Sequence, residues 1–284
     1  MTTGFAVLVA VIASLAGCIS GHPTHETVRL APANSAAAAR ATAAIATTVS
    51  VDVFAAGTFR NGGVTLPYRL HAPASLAPGV RYPLVLVFHG SGAMGDDNRA
   101  QLGPFARSWA RPELRERFPA FVVVPHFATR TAVYAVDARD SLPSSAGTAA
   151  LDAALALVTE LLGTHPVDPR RVYVVGFSMG ASAAWHALLR KPDLFAAAVP
   201  IAGVPPPRAM ATLLAASPLL IAHGTSDMEN SIAADQAMYS ALRRAGARAL
   251  RFREYVGLDH RVPPDFFSET TLQTWLFAQR RPGA

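Results

Sequence analysis

The stretch Arg171-Val-Tyr-Val-Val-Gly-Phe-Ser-Met-Gly-Ala-Ser-Ala-Ala-Trp185 constrains this chain more than any other. Val172 to Val175 is a β-branched and aromatic run that reads as a buried strand, and the residues after Met179 read as a helix. Between them Gly176-Phe177-Ser178-Met179-Gly180 matches G-x-S-x-G, a strand–turn–helix motif that presents a serine hydroxyl above a sheet. Glycine is expected two positions either side of Ser178, because a Cβ there would collide with the tight turn or the neighbouring strand. The helix that follows aims its first amides at the place where an oxyanion would form. A chance match in an alanine- and glycine-rich chain is the competing reading. The flanking strand and helix are the context that the motif requires and that chance does not supply. A serine held this way needs a base, an acid and a second oxyanion donor from elsewhere in the chain.

Further strands are legible in order. Val49 to Phe59 and Val64 to Leu70 flank Asn61-Gly62-Gly63 and read as a hairpin, with Pro67 pointing to a sheet edge. Tyr82 to Phe88 is a continuous apolar run, as expected of a strand covered on both faces. Phe121 to Val124 is another, stopped by Pro125. Phe195 to Ile201, Pro218 to Ala222 and Ala249 to Val256 complete the set. Helical patterns fall between them: residues 104–117, expected to be exposed; 148–162, with Gly163 as a C-cap; 179–190; 208–214; 232–245; and 266–279. Residues 126–145 read as a loop on the ligand-binding edge of the sheet, with His126 and Tyr134 as candidates to line a pocket. Only a short segment separates Ile201 from Pro218, so no cap domain fits there and the site should be open.

The remaining candidates come from strand ends. His223-Gly-Thr-Ser-Asp227 follows the strand at 218–222, and Asp227 is the expected acid, with Glu229 and Asp235 as rivals. Leu258-Asp259-His260 follows the last strand, and His260 is the expected base. Asp259 would have to fold back on its own neighbour to act as the acid. The order serine, aspartate, histidine differs from that of chymotrypsin-like and subtilisin-like enzymes. Asp96, Asp97 and Asn98 could in principle hold a cation, but helix capping and loop hydrogen bonds are their expected role.

Phe88-His-Gly-Ser-Gly92, Gly176-Phe-Ser-Met-Gly180, His223-Gly-Thr-Ser-Asp227 and Leu258-Asp-His260 together resemble the α/β-hydrolase superfamily over about residues 50–280. The chain looks most like the phospholipase/carboxylesterase group, which overlaps predicted peptidases and feruloyl esterase-like enzymes. Ala181 stands where many relatives carry a further glycine. The resemblance implies an α/β fold with a mostly parallel central sheet, helices on both faces, an antiparallel N-terminal edge hairpin and no large cap. It implies a serine hydrolase acting on carboxylic esters through Ser178, Asp227 and His260. The backbone N–H groups of Met179 and Ser91 would form the oxyanion hole, and no metal or organic cofactor would be needed. A peptidase with the same triad, or a catalytically silent surface-binding protein on the same scaffold, remains open. His89 is expected to fix its own turn rather than to react.

The formal charge is +6, carried almost wholly by arginine, since Lys191 is the only lysine. The arginines are scattered, which gives no footprint for nucleic acid. Residues 1–17 are apolar, with Phe5 to Leu15 free of charge, the size of a signal-peptide core. Leu15-Ala-Gly-Cys18 resembles a bacterial lipobox, and Cys18 is the only cysteine, so it is the expected lipidation site and membrane anchor. The lack of Lys or Arg in Met1 to Gly4 departs from that pattern, and an ordinary cleaved signal is the alternative. Export, to a membrane surface or in soluble form, follows from either. Residues 18–48 are low-complexity and alanine-rich and read as a tether, leaving 49–284 as the catalytic domain. His22 and His25 in that tether carry no expected metal. Composition says nothing of oligomeric state.

Overall fold

The computed structural model describes residues 22–29, 32–61, 63–137 and 140–282. In chain order the strands are β1 (Thr24–Arg29), β2 (Ala55–Asn61), β3 (Val64–His71), β4 (Tyr82–Phe88), β5 (Phe121–Pro125), β6 (Ala132–Val136), β7 (Pro143–Gly147), β8 (Val167–Phe177), β9 (Ala197–Ile201), β10 (Leu219–Gly224) and β11 (Leu250–Val256). The helices are α1 (Pro32–Thr48), α2 (Pro104–Ser108), α3 (Pro112–Arg117), α4 (Ala150–Thr164), α5 (Met179–Arg190), α6 (Ala211–Leu214), α7 (Ile232–Arg244), α8 (Asp265–Ser268) and α9 (Thr271–Ala278).

Among the described residues nine strands form one sheet, ordered β1-β11-β10-β9-β8-β4-β5-β3-β2. Pairing is parallel from β1 through β5, and the β2–β3 hairpin closes one edge in antiparallel sense. The apolar run of β4 is explained by burial on both faces. Leu84, Leu86 and Phe88 pack with α4, α5, α6 and α7, whereas Val85 and Val87 pack with α2, α8, α9 and the end of α1. β8 alternates likewise, with Val172 and Val174 on the first face and Tyr173 and Val175 on the second. The helices are thus laid on both faces of the sheet, and every parallel strand delivers its following loop to one edge.

Several expectations change in detail. Residues 104–117 form two short helices, because Pro112 has no N–H to continue the first. The first is buried rather than exposed, covering Phe105, Ala106 and Ser108, whereas α3 is mostly exposed and buries Leu114. Helix α4 runs past Gly163 and is capped at His165. Pro67 lies on the inner strand of the hairpin, at the end of its ladder with β5, where its carbonyl accepts from the His126 amide at 2.8 Å. The loop at 126–145 contains the β6–β7 hairpin.

The stretch read as a tether departs most. Its residues 24–29 extend the sheet as β1, pairing in parallel with β11. His25 stacks on Phe252 with ring centroids 5.0 Å apart, and Glu26 pairs with Arg253 at 2.9 Å. Its residues 32–48 form α1, which buries Ile45 and lies against α2 and α8. Cys18 and the apolar residues 1–17 lie outside the described residues. Among the described residues no helix is long and apolar enough to cross a membrane.

Candidate active site

Ser178 joins β8 to α5 with φ 56° and ψ −121°. A non-glycine residue in this region carries strain of about 1–3 kcal/mol and persists only where its surroundings hold it. Here the Ser178 N–H donates to the Ile201 carbonyl of β9 at 2.9 Å, and its own carbonyl accepts from the Ala181 and Ser182 amides. The flanking glycines are steric requirements. A Cβ on Gly176 would overlap the Gly180 carbonyl, and one on Gly180 would overlap the Phe88 carbonyl of β4.

The structure brings the three expected side chains together. His260 Nε2 lies 2.9 Å from Ser178 Oγ, and His260 Nδ1 lies 2.7 Å from Asp227 Oδ2. With a carboxylate on Nδ1, that nitrogen is the donor, which leaves Nε2 of the neutral ring to accept the serine proton. Asp227 Oδ1 accepts from the Glu229 and Asn230 amides, each at 2.9 Å. The acid loop is itself fixed to both neighbours. Asn230 Nδ2 donates to the Ala202 carbonyl at 2.8 Å, and the Gly257 N–H donates to Thr225 Oγ1 at 2.9 Å. Glu229 does not compete as the acid: its side chain is 73% exposed and stands 3.6 Å from His260 Nε2, on the wrong side of the ring. Asp259 pairs with Arg261 instead.

Behind Asp227 lies a pairing that the sequence did not single out, between His223 and Asp235, the latter offered there only as a rival acid. His223, at the end of β10, points Nε2 at Asp227 Oδ2, 3.2 Å away, and at the Asn230 carbonyl, 2.9 Å away. Its Nδ1 lies 2.7 Å from Asp235 Oδ2. The side chains of His223, Asp227 and Asp235 have no exposed surface. Both groups facing Nε2 are acceptors, so that nitrogen carries its proton. Another proton is shared between Nδ1 and Asp235, and the pair is net neutral wherever it lies. Burial alone would lower the His223 imidazole, but its hydrogen bonds to Asp227 and Asp235 raise it to about 10. Burial alone would raise Asp227. The hydrogen bonds from His223, His260 and the Asn230 amide outweigh it and hold the carboxyl well below the usual range. Asp235, in the first turn of α7, is pushed up by burial, with His223 opposing. The sequence clue was present: a histidine immediately after the predicted strand 218–222, followed twelve residues later by an acid on an otherwise amphipathic helix.

The other candidates divide. Met179 opens α5, where the first N–H groups have no partner within the helix. Ser91 begins a single tight turn after Gly90, and a Cβ on Gly90 would come within 3.5 Å of Ser178 Cβ, so this turn lies beside the serine. His89 is held as expected. Its Nδ1 bonds the Gly90 carbonyl at 2.8 Å, the Phe127 amide donates to its Nε2 at 3.2 Å, and burial lowers it to about 4. His126 is not a wall of the pocket. It is buried, with the Asn98 amide on Nδ1 and the Ala93 carbonyl at Nε2, both at 3.0 Å, so its ring braces the 93–98 loop from beneath. Tyr134 lies on the β6–β7 hairpin and accepts a bond from Ser182 Oγ of α5 at 3.2 Å, beside the elbow rather than in the main cleft. Asp97 Oδ1 accepts from the Arg99 and Ala100 amides of its own loop, and Asn98 Nδ2 donates to the Tyr68 carbonyl of β3 at 3.1 Å.

A cleft of about 950 Å³ opens beside His260, His89 and Gly90. Its walls are mainly apolar and come from β4, α2, the His260 loop and α1. No cap stands between Ile201 and Leu219, but α1 forms one side of the cleft, which the sequence did not foreshadow.

This fold is that of a known family. The model of the alpha/beta hydrolase family matches residues 84–284, and the chain belongs to that family. It is 30% identical over 228 residues to the protein named "Putative esterase NocK" of Nocardia uniformis subsp. tsuyamanensis, across 77% of this chain and 62% of that one. It superposes on a solved thermostable esterase with a TM-score of 0.73 at 28% identity, covering 81% of this chain and 64% of the other. A dipeptidyl aminopeptidase IV-type structure from Bacteroides ovatus ATCC 8483 gives 0.61 at 18% identity, covering 80% and 36%, a likeness of fold alone. The chain therefore spans less than two thirds of the length of each of these relatives.

Proposed function

We infer that this protein is a serine hydrolase of carboxylic esters. The observation that carries the reading is the unbroken row from Ser178 Oγ to His260 at 2.9 Å and from His260 to Asp227 at 2.7 Å. Ser178 Oγ attacks the ester carbonyl while His260 Nε2 takes its proton. The oxyanion is stabilised by the Met179 and Ser91 amides, at about 2.7–4 kcal/mol per donor. Collapse expels the alcohol, which leaves with the proton from His260, and the acyl group stays on Ser178. Water then attacks the acyl-enzyme, His260 takes a proton from it, and the acid departs as Ser178 is restored. Asp227 orients the ring and stabilises the imidazolium in both halves. The reaction so written calls on no metal and no organic cofactor. The uncapped side of the site suits bulky or extended esters.

The test is hydrolysis of a nitrophenyl ester series beside aminoacyl-anilides, with Ser178→Ala as control. Turnover of esters that vanishes in Ser178→Ala supports the reading. Turnover of anilides alone would make the protein a peptidase on the same scaffold, and no turnover of either would point to a binding role.

The N-terminus supports a second, separate proposal. The uncharged Phe5–Leu15 core followed by Leu-Ala-Gly-Cys18 favours export and lipidation at Cys18, which would anchor the enzyme to a membrane. Because β1 begins at Thr24, the six intervening steps reach at most about 20 Å, so the anchored domain would lie close against the bilayer. Cys18→Ala should move the protein from the membrane fraction to the soluble one, and an unchanged distribution would refute the anchor.

A further inference from the structure

Helix α1 presents two different faces. Ile45, with Val49 just beyond the helix, is buried in the layer that contains Phe54 and Phe105. Ala39, Thr42, Ala43 and Ala46 follow the i, i+3, i+4, i+7 spacing of a single stripe, and that stripe lines the cleft. Ala39, Ala43 and Ala46 are exposed there, so their methyl groups face open space rather than core. The helix is fastened at its C-terminal end, where Arg107 donates to the Ala46 carbonyl at 2.9 Å and to the Val49 carbonyl at 3.2 Å. Phe105, Phe177, Phe267 and His260 line the same cleft.

The lining decides what chemistry suits this space. Apart from histidines, its charged residues among those described are Asp259 and Arg261, which pair with each other at 2.9 Å and are more than half exposed at the rim. Among the described lining residues no charged side chain is left over for a phosphate, an amine or a second carboxylate. At about 950 Å³ the cleft lies near the top of the range for small-molecule sites, and an acetyl group would leave most of it empty. Alanine on the α1 stripe is what keeps the volume open.

We propose that the cleft between α1 and the His260 loop binds a linear hydrocarbon arm of the ester substrate, with α1 as its specificity-determining wall. The inference rests on the serine esterase reading above. Each methylene that enters the cleft should raise kcat/KM by roughly three- to fourfold, or about a hundredfold over four methylenes. Two series locate the arm. Nitrophenyl acetate through decanoate lengthens the acyl side, and alkyl acetates from methyl to decyl lengthen the alcohol side. A rise of this size in either series supports the proposal and says which arm is bound. Rates that are flat or falling from the shortest member in both overturn it.

Ala43→Trp and Ala46→Phe fill the stripe from an exposed position. Each should cut the ratio of long-chain to short-chain kcat/KM at least tenfold, and an unchanged ratio in folded protein overturns the role of α1. Binding of both ester series to Ser178→Ala reads the cleft apart from catalysis. A Kd that tightens with chain length in either series supports it even if the esterase reading fails, and a Kd indifferent to length in both refutes it even if that reading stands.

Discussion

Replacing His223 by phenylalanine removes the donor that faces Asp227 from behind while keeping an aromatic ring of similar size. Asp227 Oδ2 then retains only the His260 Nδ1 proton, and Oδ1 keeps the Glu229 and Asn230 amides. A hydrogen bond to a charged group contributes about 1.5–3 kcal/mol net, and at 3.2 Å the lower part of that range applies. If the loss falls on the orientation of His260 in the transition state, kcat/KM drops roughly tenfold to thirtyfold, with KM little altered. The negative charge left facing Nδ1 becomes less shared, so the imidazolium is favoured and the acid limb of the kcat/KM profile moves to higher pH. Stability suffers separately. Asp235 loses its partner on Oδ2, and its Oδ1 already has none. Breaking a buried pair from one side costs about 3–5 kcal/mol. The double variant His223→Phe/Asp235→Leu removes both polar groups and should recover much of that stability without recovering the rate. Thermal melting and pH–rate profiles on the single and double variants separate the two effects. If kcat/KM follows the melting temperature and returns with it in the double variant, or if the acid limb stays in place, His223 only packs and the reasoning is wrong.

Asp227→Asn should lower kcat/KM by about 10⁴ through the wrong tautomer of His260, whereas Glu229→Gln should change it less than about threefold, as steady-state kinetics on the ester substrate would show. Gly180→Ala drives a Cβ into the Phe88 backbone carbonyl, which cannot swing aside, and should lower stability by about 1–3 kcal/mol or more in denaturant melts. His89 and His186 are each lowered to about 4 by burial, against 6.5 when exposed. The unfolded chain therefore binds more protons between those values, so their contribution is present above pH about 6.5 and is lost as pH falls toward 4. His223 has the opposite sign: raised to about 10, its contribution is complete below about 6.5 and lost as pH rises through 10. His89→Gln should flatten the acid side of a plot of stability against pH, and His223→Phe the alkaline side.

The central strands were legible because their side chains alone determine them. β4 and β8 are apolar on both faces, and only burial between two helical layers explains such a run. The elbow was legible for a related reason, since Gly176 and Gly180 are demanded by backbone contacts that no other residue allows. β1 carried no such signal. Thr24-His-Glu-Thr-Val-Arg29 is polar and mostly exposed, and it is held by the backbone ladder to β11 and by cross-strand pairs such as Glu26 with Arg253. Those partners lie more than two hundred residues away, where no local pattern can reveal them. His223 was hidden differently. Its role depends on Asp235 turning inward from the first turn of α7, a direction that helical spacing does not determine.

Helix α1 shows why composition could not separate a tether from a wall. Alanine has the highest helix propensity, yet an isolated alanine-rich segment of this length is marginal in water. What makes it persist is the surface that receives it: a site for Ile45 and Val49 beside Phe54 and Phe105, and an arginine at 107 placed to bond the last carbonyls. Those residues are spread from position 45 to 107, and none is unusual where it stands. The same small side chains that denied the helix a sequence signature leave the space in front of His260 empty. Bulkier residues at 39, 43 and 46 would have made the helix obvious and closed the cleft it borders.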